Sequence, residues 1–157
     1  MKEKVILLID DDLDDTEIFT NIFRDADESV NCLCAPGGKE ALKLLNTIEL
    51  PSLILLDAGM PVMNGWEFLE LLKKDNRCKE VPVIMIATSS RKAGIDDAET
   101  LGAAGYFVKP CDFQSLKDLL GTVCTNLGDR LKNALLNLQS ESPSFVYIFP
   151  ENIRDAV

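Results

Sequence analysis

Short apolar runs alternate with longer amphipathic stretches along most of the chain. Residues 5–9, VILLI, are uninterrupted apolar sequence, the pattern of a strand covered on both faces. Residues 14–26 read as a helix, with Ile18, Phe19, Ile22 and Phe23 on one stripe and Asp14 and Glu17 where acids favour a helix start. A second strand is expected over 30–35. Pro36, Gly37 and Gly38 then turn the chain into a helix over 39–46, with Ala41, Leu42 and Leu45 inward.

The alternation continues. A third strand over 53–56 ends at Asp57, and the loop AGMPVMNG leads to a helix over 66–74. A fourth strand over 81–87 ends in Thr88, Ser89 and Ser90, followed by a weaker helix over 92–101. A fifth strand over 106–108 closes with Lys109 and Pro110. The helix after it begins at Asp112 or Gln114 and carries Leu116, Leu119, Leu120 and Val123 inward. Five strand–helix repeats in about 125 residues argue for a parallel sheet with helices on both faces, because right-handed crossovers put them there.

In such a sheet, ligands bind outside the carboxyl ends of the strands. The residues expected there are Asp10, Asp11 and Asp12 after the first strand, Asp57 after the third, Thr88 after the fourth and Lys109 after the fifth. This convergence is the strongest reading of the residues themselves. Asp10, Asp11 and Asp57 form a set of hard oxygen donors suited to Mg²⁺, which relieves repulsion among the acids. Asp12 is either a solvated loop residue or an outer support to the metal. Asp14 and Asp15 are assigned to the helix start, with no metal contact.

Charge and composition narrow the field. The net charge is −10, with 26 acids against 16 bases, a poor match to nucleic acid or to an anionic membrane surface. No apolar run approaches the roughly 20 residues that span a bilayer, and the N-terminal stretch reads as a strand and not as a signal peptide. The 5 cysteines form no CxxC pair and there is no histidine, so they are expected as buried small side chains in a cytoplasmic protein. The stretch PGGKEAL lacks P-loop spacing. Three aspartates after the first strand argue against flavin phosphate at that position.

Four motifs in order, ILLIDDD, LILLDAGMPVMNGWEFL, VIMIATSS and GYFVKP, resemble the receiver domain of two-component response regulators over roughly residues 3–125. Within that family the chain looks most like stand-alone receivers, some of which serve phytochrome-type histidine kinases. The resemblance implies a flavodoxin-like, doubly wound α/β fold: a five-stranded parallel sheet in the order 2-1-3-4-5. It implies that Asp57 accepts a phosphoryl group from the phosphohistidine of a sensor histidine kinase or histidine phosphotransfer protein. Asp10, Asp11, Asp57 and the backbone carbonyl of Gly59 would hold Mg²⁺, and Lys109 and Thr88 would contact the phosphoryl group. Tyr106 would rotate inward with Thr88, biasing a partner surface around the fourth helix, fifth strand and fifth helix. A cis Lys109–Pro110 bond would aim the lysine. Such a protein is a phosphoacceptor and not a dedicated enzyme, taking part in its own phosphotransfer and dephosphorylation. Gly59 and Ala58 depart from the usual pattern, and Gly59 offers no side chain over the phosphoryl group.

Two other functions compete. One is a receiver-fold binding module that works without phosphorylation. The other is a phosphohydrolase of the dehalogenase type, which needs a second acid where Gly59 stands. Residues 1–127 are expected to form the receiver, and 128–157 a C-terminal extension. In the extension, Leu131, Leu135 and Leu138 continue a helix, and SFVYIFP reads as strand-like sequence. That segment is expected to add an edge strand, pack over a helix or support a homodimer. It is too short for a DNA-binding output domain and lacks a basic patch.

Overall fold

The computed structural model describes residues 3–154. The elements are β1 (Lys4–Ile9), α1 (Leu13–Ala26), β2 (Val30–Ala35), α2 (Gly38–Leu45), β3 (Leu53–Asp57), α3 (Gly65–Lys74), β4 (Val83–Ala87), α4 (Lys92–Thr100), β5 (Gly105–Val108), α5 (Phe113–Thr125), α6 (Leu131–Glu141) and β6 (Val146–Ile148), with a 3₁₀ turn at Pro150–Asn152. One sheet in the order β2-β1-β3-β4-β5-β6 holds them together. The first five strands are parallel in the expected order, and β6 adds a sixth, antiparallel to β5.

Burial explains the apolar runs. In β1, β3 and β4, successive side chains point to opposite faces, and both faces are covered. Ile6 and Leu8 of β1, Leu53 and Leu55 of β3, and Ile84 and Ile86 of β4 pack toward α1, α5 and α6. Leu7 and Ile9, Ile54 and Leu56, and Val83 and Met85 pack toward α2, α3 and α4. Of the helices that start at the sheet's carboxyl end, α1, α3 and α5 are capped by side chains and α2 and α4 are not. Asp12 caps α1, Asn64 and Glu67 form a capping box on α3, and Asp112 caps α5. Asp12 is therefore an exposed helix cap whose own N–H donates to Asp10, a capping role added to the two alternatives expected for it.

The cysteines are only partly as expected. Cys78 and Cys124 are buried, Cys32 is half-buried, and Cys34 and Cys111 are exposed. β2 is an edge strand, so its side chains are less completely covered, and Cys111 lies in the loop after Pro110. The Cys32 thiol hydrogen-bonds Cys34 and draws its pKa down to about 6.

At the opposite edge, β6 closes what would otherwise be the free margin of β5. Val108 N–H donates to Phe145 O at 2.8 Å, and Phe149 N–H donates to Ala104 O at 2.9 Å. Gly105 allows the close approach: a Cβ there would lie 2.9 Å from Ile148 Cδ1 and 3.1 Å from Tyr147 O. The alternating pattern turns the Val146 and Ile148 N–H groups outward. They donate to Ser142 O at 3.0 Å and to Gln139 Oε1 of α6 at 2.5 Å. Leu131, Leu135 and Leu138 of α6 join the same core as α1 and α5. The surface expected around α4, β5 and α5 thus has no open β5 edge, because β6 occupies it.

Candidate phosphoacceptor site

The site is assembled where β1, β3, β4 and β5 end together. Asp10 follows β1 directly and is almost fully enclosed, 4% exposed. Its Oδ1 accepts the Asp12 N–H at 2.9 Å. Asp12 in turn accepts the N–H groups of Asp14 and Asp15 at 2.9 and 3.1 Å. Asp57 ends β3, and its Oδ1 accepts the Gly59 N–H at 3.2 Å. Carboxylate oxygens of Asp10, Asp11 and Asp57 all lie within 4.8 Å of one another. Gly65 at the start of α3 lets that helix sit against the Asp57 loop, since a Cβ there would come within 2.6 Å of Asp57 O and 2.8 Å of Ala58 Cα.

The electrostatics follow from crowding and enclosure. Burial pushes the Asp10 carboxyl up to about 7; the Asp12 N–H opposes this and the charge of Asp57 reinforces it. Burial also raises Asp57, against the Gly59 N–H and Lys109. Both acids therefore resist being ionised together, as expected of like charges at close range. Three clustered hard oxygen donors, with the charges of Asp10 and Asp57 held against their preference, fit a small divalent cation. Gly59 leaves open space above them, with nothing within 4 Å of where a Cβ would be.

Lys109 is half-buried. Its N–H donates to Ala87 O at 2.9 Å, which fixes the residue after β5 against the end of β4. Burial disfavours its charge, but the hydrogen bond and ion pair with Asp15 and the fields of Asp10 and Asp57 outweigh this and raise its pKa. The direct partner is Asp15, on the first turn of α1. The sequence alone places Asp15 only at the helix start, and no local spacing marks a partner 94 residues away. No peptide bond among the described residues is cis, so Lys109–Pro110 is trans. The β4 contact and the Asp15 pair aim the lysine without a cis bond.

Thr88 is exposed at the end of β4 and lines the same cleft, of about 610 Å³, as Asp57 and Lys109. Tyr106 is 1% exposed and already inside. Its hydroxyl donates to Ser89 O at 2.8 Å, and its ring meets Tyr147 of β6 edge-on at 6.4 Å. The inward position expected only after phosphorylation is occupied here, because the Ser89 carbonyl and the Tyr147 ring supply its partners. Trp66 is half-buried and donates from Nε1 to Gly94 O at 3.1 Å, tying α3 to α4 across the cleft.

Strand ends that gather acids, a hydroxyl and a lysine on a five-strand parallel core define a class of signalling domain, and sequence comparison bears this out. The family model of the response regulator receiver domain matches residues 6–121, and the chain belongs to that family. It is 38% identical over 89 residues to chemotaxis protein CheY1 of Helicobacter pylori, covering 57% of this chain and 72% of that protein. It is 34% identical over 113 residues to chemotaxis protein CheY of Pseudomonas aeruginosa, covering 72% and 90%. Among solved structures, the fold is similar to the phosphorylated cyanobacterial phytochrome response regulator RcpA, with a TM-score of 0.73 at 24% identity over 78% of this chain and 91% of that one. The Mn²⁺-bound form of response regulator Rcp1 gives 0.70 at 24% identity over 76% and 91%. Receiver domains are phosphoacceptors of two-component signalling, work with histidine kinases or phosphotransfer proteins, and bind Mg²⁺ at an acidic pocket. The family match stops at residue 121, before α6 and β6. No helix among the described residues is long and apolar enough to cross a membrane.

Proposed function

We propose that Asp57 accepts a phosphoryl group from a phosphohistidine on a sensor histidine kinase or a histidine phosphotransfer protein, in the cytoplasm. The observation that carries this reading is the approach of the Asp10, Asp11 and Asp57 carboxylates within 4.8 Å, beside a half-buried lysine. An Asp57 oxygen attacks phosphorus as the N–P bond breaks. The O–P bond of the aspartyl phosphate forms, and the imidazole leaves and takes up a proton. Asp10, Asp11, Asp57 and the Gly59 carbonyl would hold Mg²⁺. Bound there, the cation neutralises charge on the transferring group, as phosphoryl transfer requires. Lys109 contributes a second positive charge, and the Thr88 hydroxyl donates to a phosphoryl oxygen. Residues 1–127 do this chemistry as the receiver unit, with 128–157 as its extension. Output is a protein contact on the surface formed by α4, β5, α5 and the added β6, biased between two states through Thr88 and Tyr106. The fold shared with phytochrome response regulators supports a sensor kinase of that type as the partner to try first.

The test is incubation with Mg²⁺ and a small phosphodonor, followed by peptide mapping. A phosphoryl adduct on Asp57 that is absent from Asp57→Asn is expected. No adduct in the wild type, or equal labelling of both proteins, would end the reading and leave the phosphorylation-independent binding module.

A further inference from the structure

Lys109 has several carboxylates to choose from, and its choice is informative. Asp10 and Asp57 are near enough for their fields to act on it. Yet its ammonium pairs directly with Asp15, which is not among the three acids whose oxygens cluster. The pair is largely enclosed, with the lysine and aspartate side chains 20% and 29% exposed. Asp15 does not stand there by chance of a floppy side chain. Its N–H is held by Asp12, and the Asp12 N–H is held by Asp10, so the helix start carrying Asp15 is tied to the acid cluster itself.

A half-buried ammonium needs a counter-charge. Without Asp15, the remaining carboxylates in reach are those of the cluster. Lys109 would move onto them and neutralise the donors that a divalent cation uses. We propose that Asp15 is a positioning residue that holds Lys109 off the Asp10, Asp11 and Asp57 carboxylates, keeping them free for a divalent cation, and releases the lysine to an incoming phosphoryl group. This rests on the phosphoacceptor reading above. Asp15 acts through Lys109 and not by its own charge on the cation, and that distinction can be measured.

The measurement is Mg²⁺ affinity of the full chain in a double-mutant cycle. Trp66 is the single tryptophan and lines the same cleft, so its fluorescence reports binding, with calorimetry as a second readout. Asp15→Asn should weaken Mg²⁺ about tenfold when Lys109 is present, a coupling in the range of contacting charged pairs. In a Lys109→Met background the same change should matter by less than about twofold, because the side chain it restrains is gone. Equal weakening in both backgrounds would show that Asp15 acts by its own charge, and would overturn the proposal. No weakening in either background would overturn it too. Asp15→Ser repeats the cycle if Asp15→Asn fails to fold. A wild type that binds Mg²⁺ and gives the expected cycle but takes no phosphoryl group removes the proposed function and leaves the role of Asp15 in place. A wild type phosphorylated on Asp57 with a flat cycle does the reverse.

Discussion

The carboxyl end of β5 and its outer edge belong to regions built on opposite terms. At its carboxyl end, Lys109 enters a rim of acids in which Asp10 and Asp57 are both held against their tendency to ionise. Along its outer edge, β6 and α6 supply backbone hydrogen bonds and apolar cover. The rim is chemistry maintained at the expense of stability, and the edge is held by backbone pairing and apolar burial. Proteins commonly sit only about 5–15 kcal/mol above unfolding. A strained polar site is then tolerable because apolar burial elsewhere offsets it.

The comparison can be broken most forcefully from the edge. Leu135→Ala removes a fully buried side chain of α6 from the main core. A large-to-small change of this kind costs about 2–5 kcal/mol, so the melting temperature should fall by roughly 10 °C. Mg²⁺ affinity should stay within about twofold of wild type. A large loss of affinity in calorimetry would show that the two regions are not separable.

The next effect comes from the rim. The Asp10 carboxyl, raised to about 7, keeps a proton in the folded state that the unfolded chain has already released. The folded protein therefore binds more protons between roughly pH 4 and 7, and stability falls as pH rises through that window. In chelator, the melting temperature should drop by about 5 °C from pH 5 to pH 8. Saturating Mg²⁺ should reverse the trend, and Asp10→Asn should flatten most of it, with a gain in metal-free stability at pH 8. A melting temperature that rises with pH in chelator would contradict the account of the rim.

Smaller again is Gly105→Ala. The added methyl meets Ile148 and the Tyr147 carbonyl, so β6 must shift. A loss of about 1–2 kcal/mol is expected, read as roughly 3–6 °C in thermal melts. The smallest effect is at Gly59, where there is room for a side chain. Gly59→Met should shield the phosphoryl group from water and slow dephosphorylation roughly threefold, measured by loss of label after the phosphodonor is removed.

The same contrast explains what the sequence revealed. Asp10, Asp11, Asp57, Thr88 and Lys109 were legible because each stands at or just past the end of an apolar run, and strand ends in a parallel sheet must meet. The five parallel strands and their order were legible for the same reason. Asp15 was not, because an acid in the first helical turn has a sufficient local explanation and its pairing with Lys109 spans 94 residues. Asp12 was ambiguous until its oxygen could be seen on the Asp14 and Asp15 N–H groups. For residues 145–149 the apolar pattern announced a strand, but only the register against Gly105, Tyr106 and Phe107 shows that it adds an edge strand to the sheet. The inward Tyr106 depended on Tyr147, a contact that no local pattern encodes.

The engaged N–H groups of Val146 and Ile148 set a limit on how this molecule can associate. A strand whose outward donors are already taken by Ser142 and Gln139 is a poor template for a strand from another chain. The sheet ends at β6 by design of its own sequence, and ribbon-like growth from that side is blocked at the first step. Self-association, where it occurs on this flank, has to bring helix faces together, which leaves the backbone of β5 and β6 undisturbed while partners come and go.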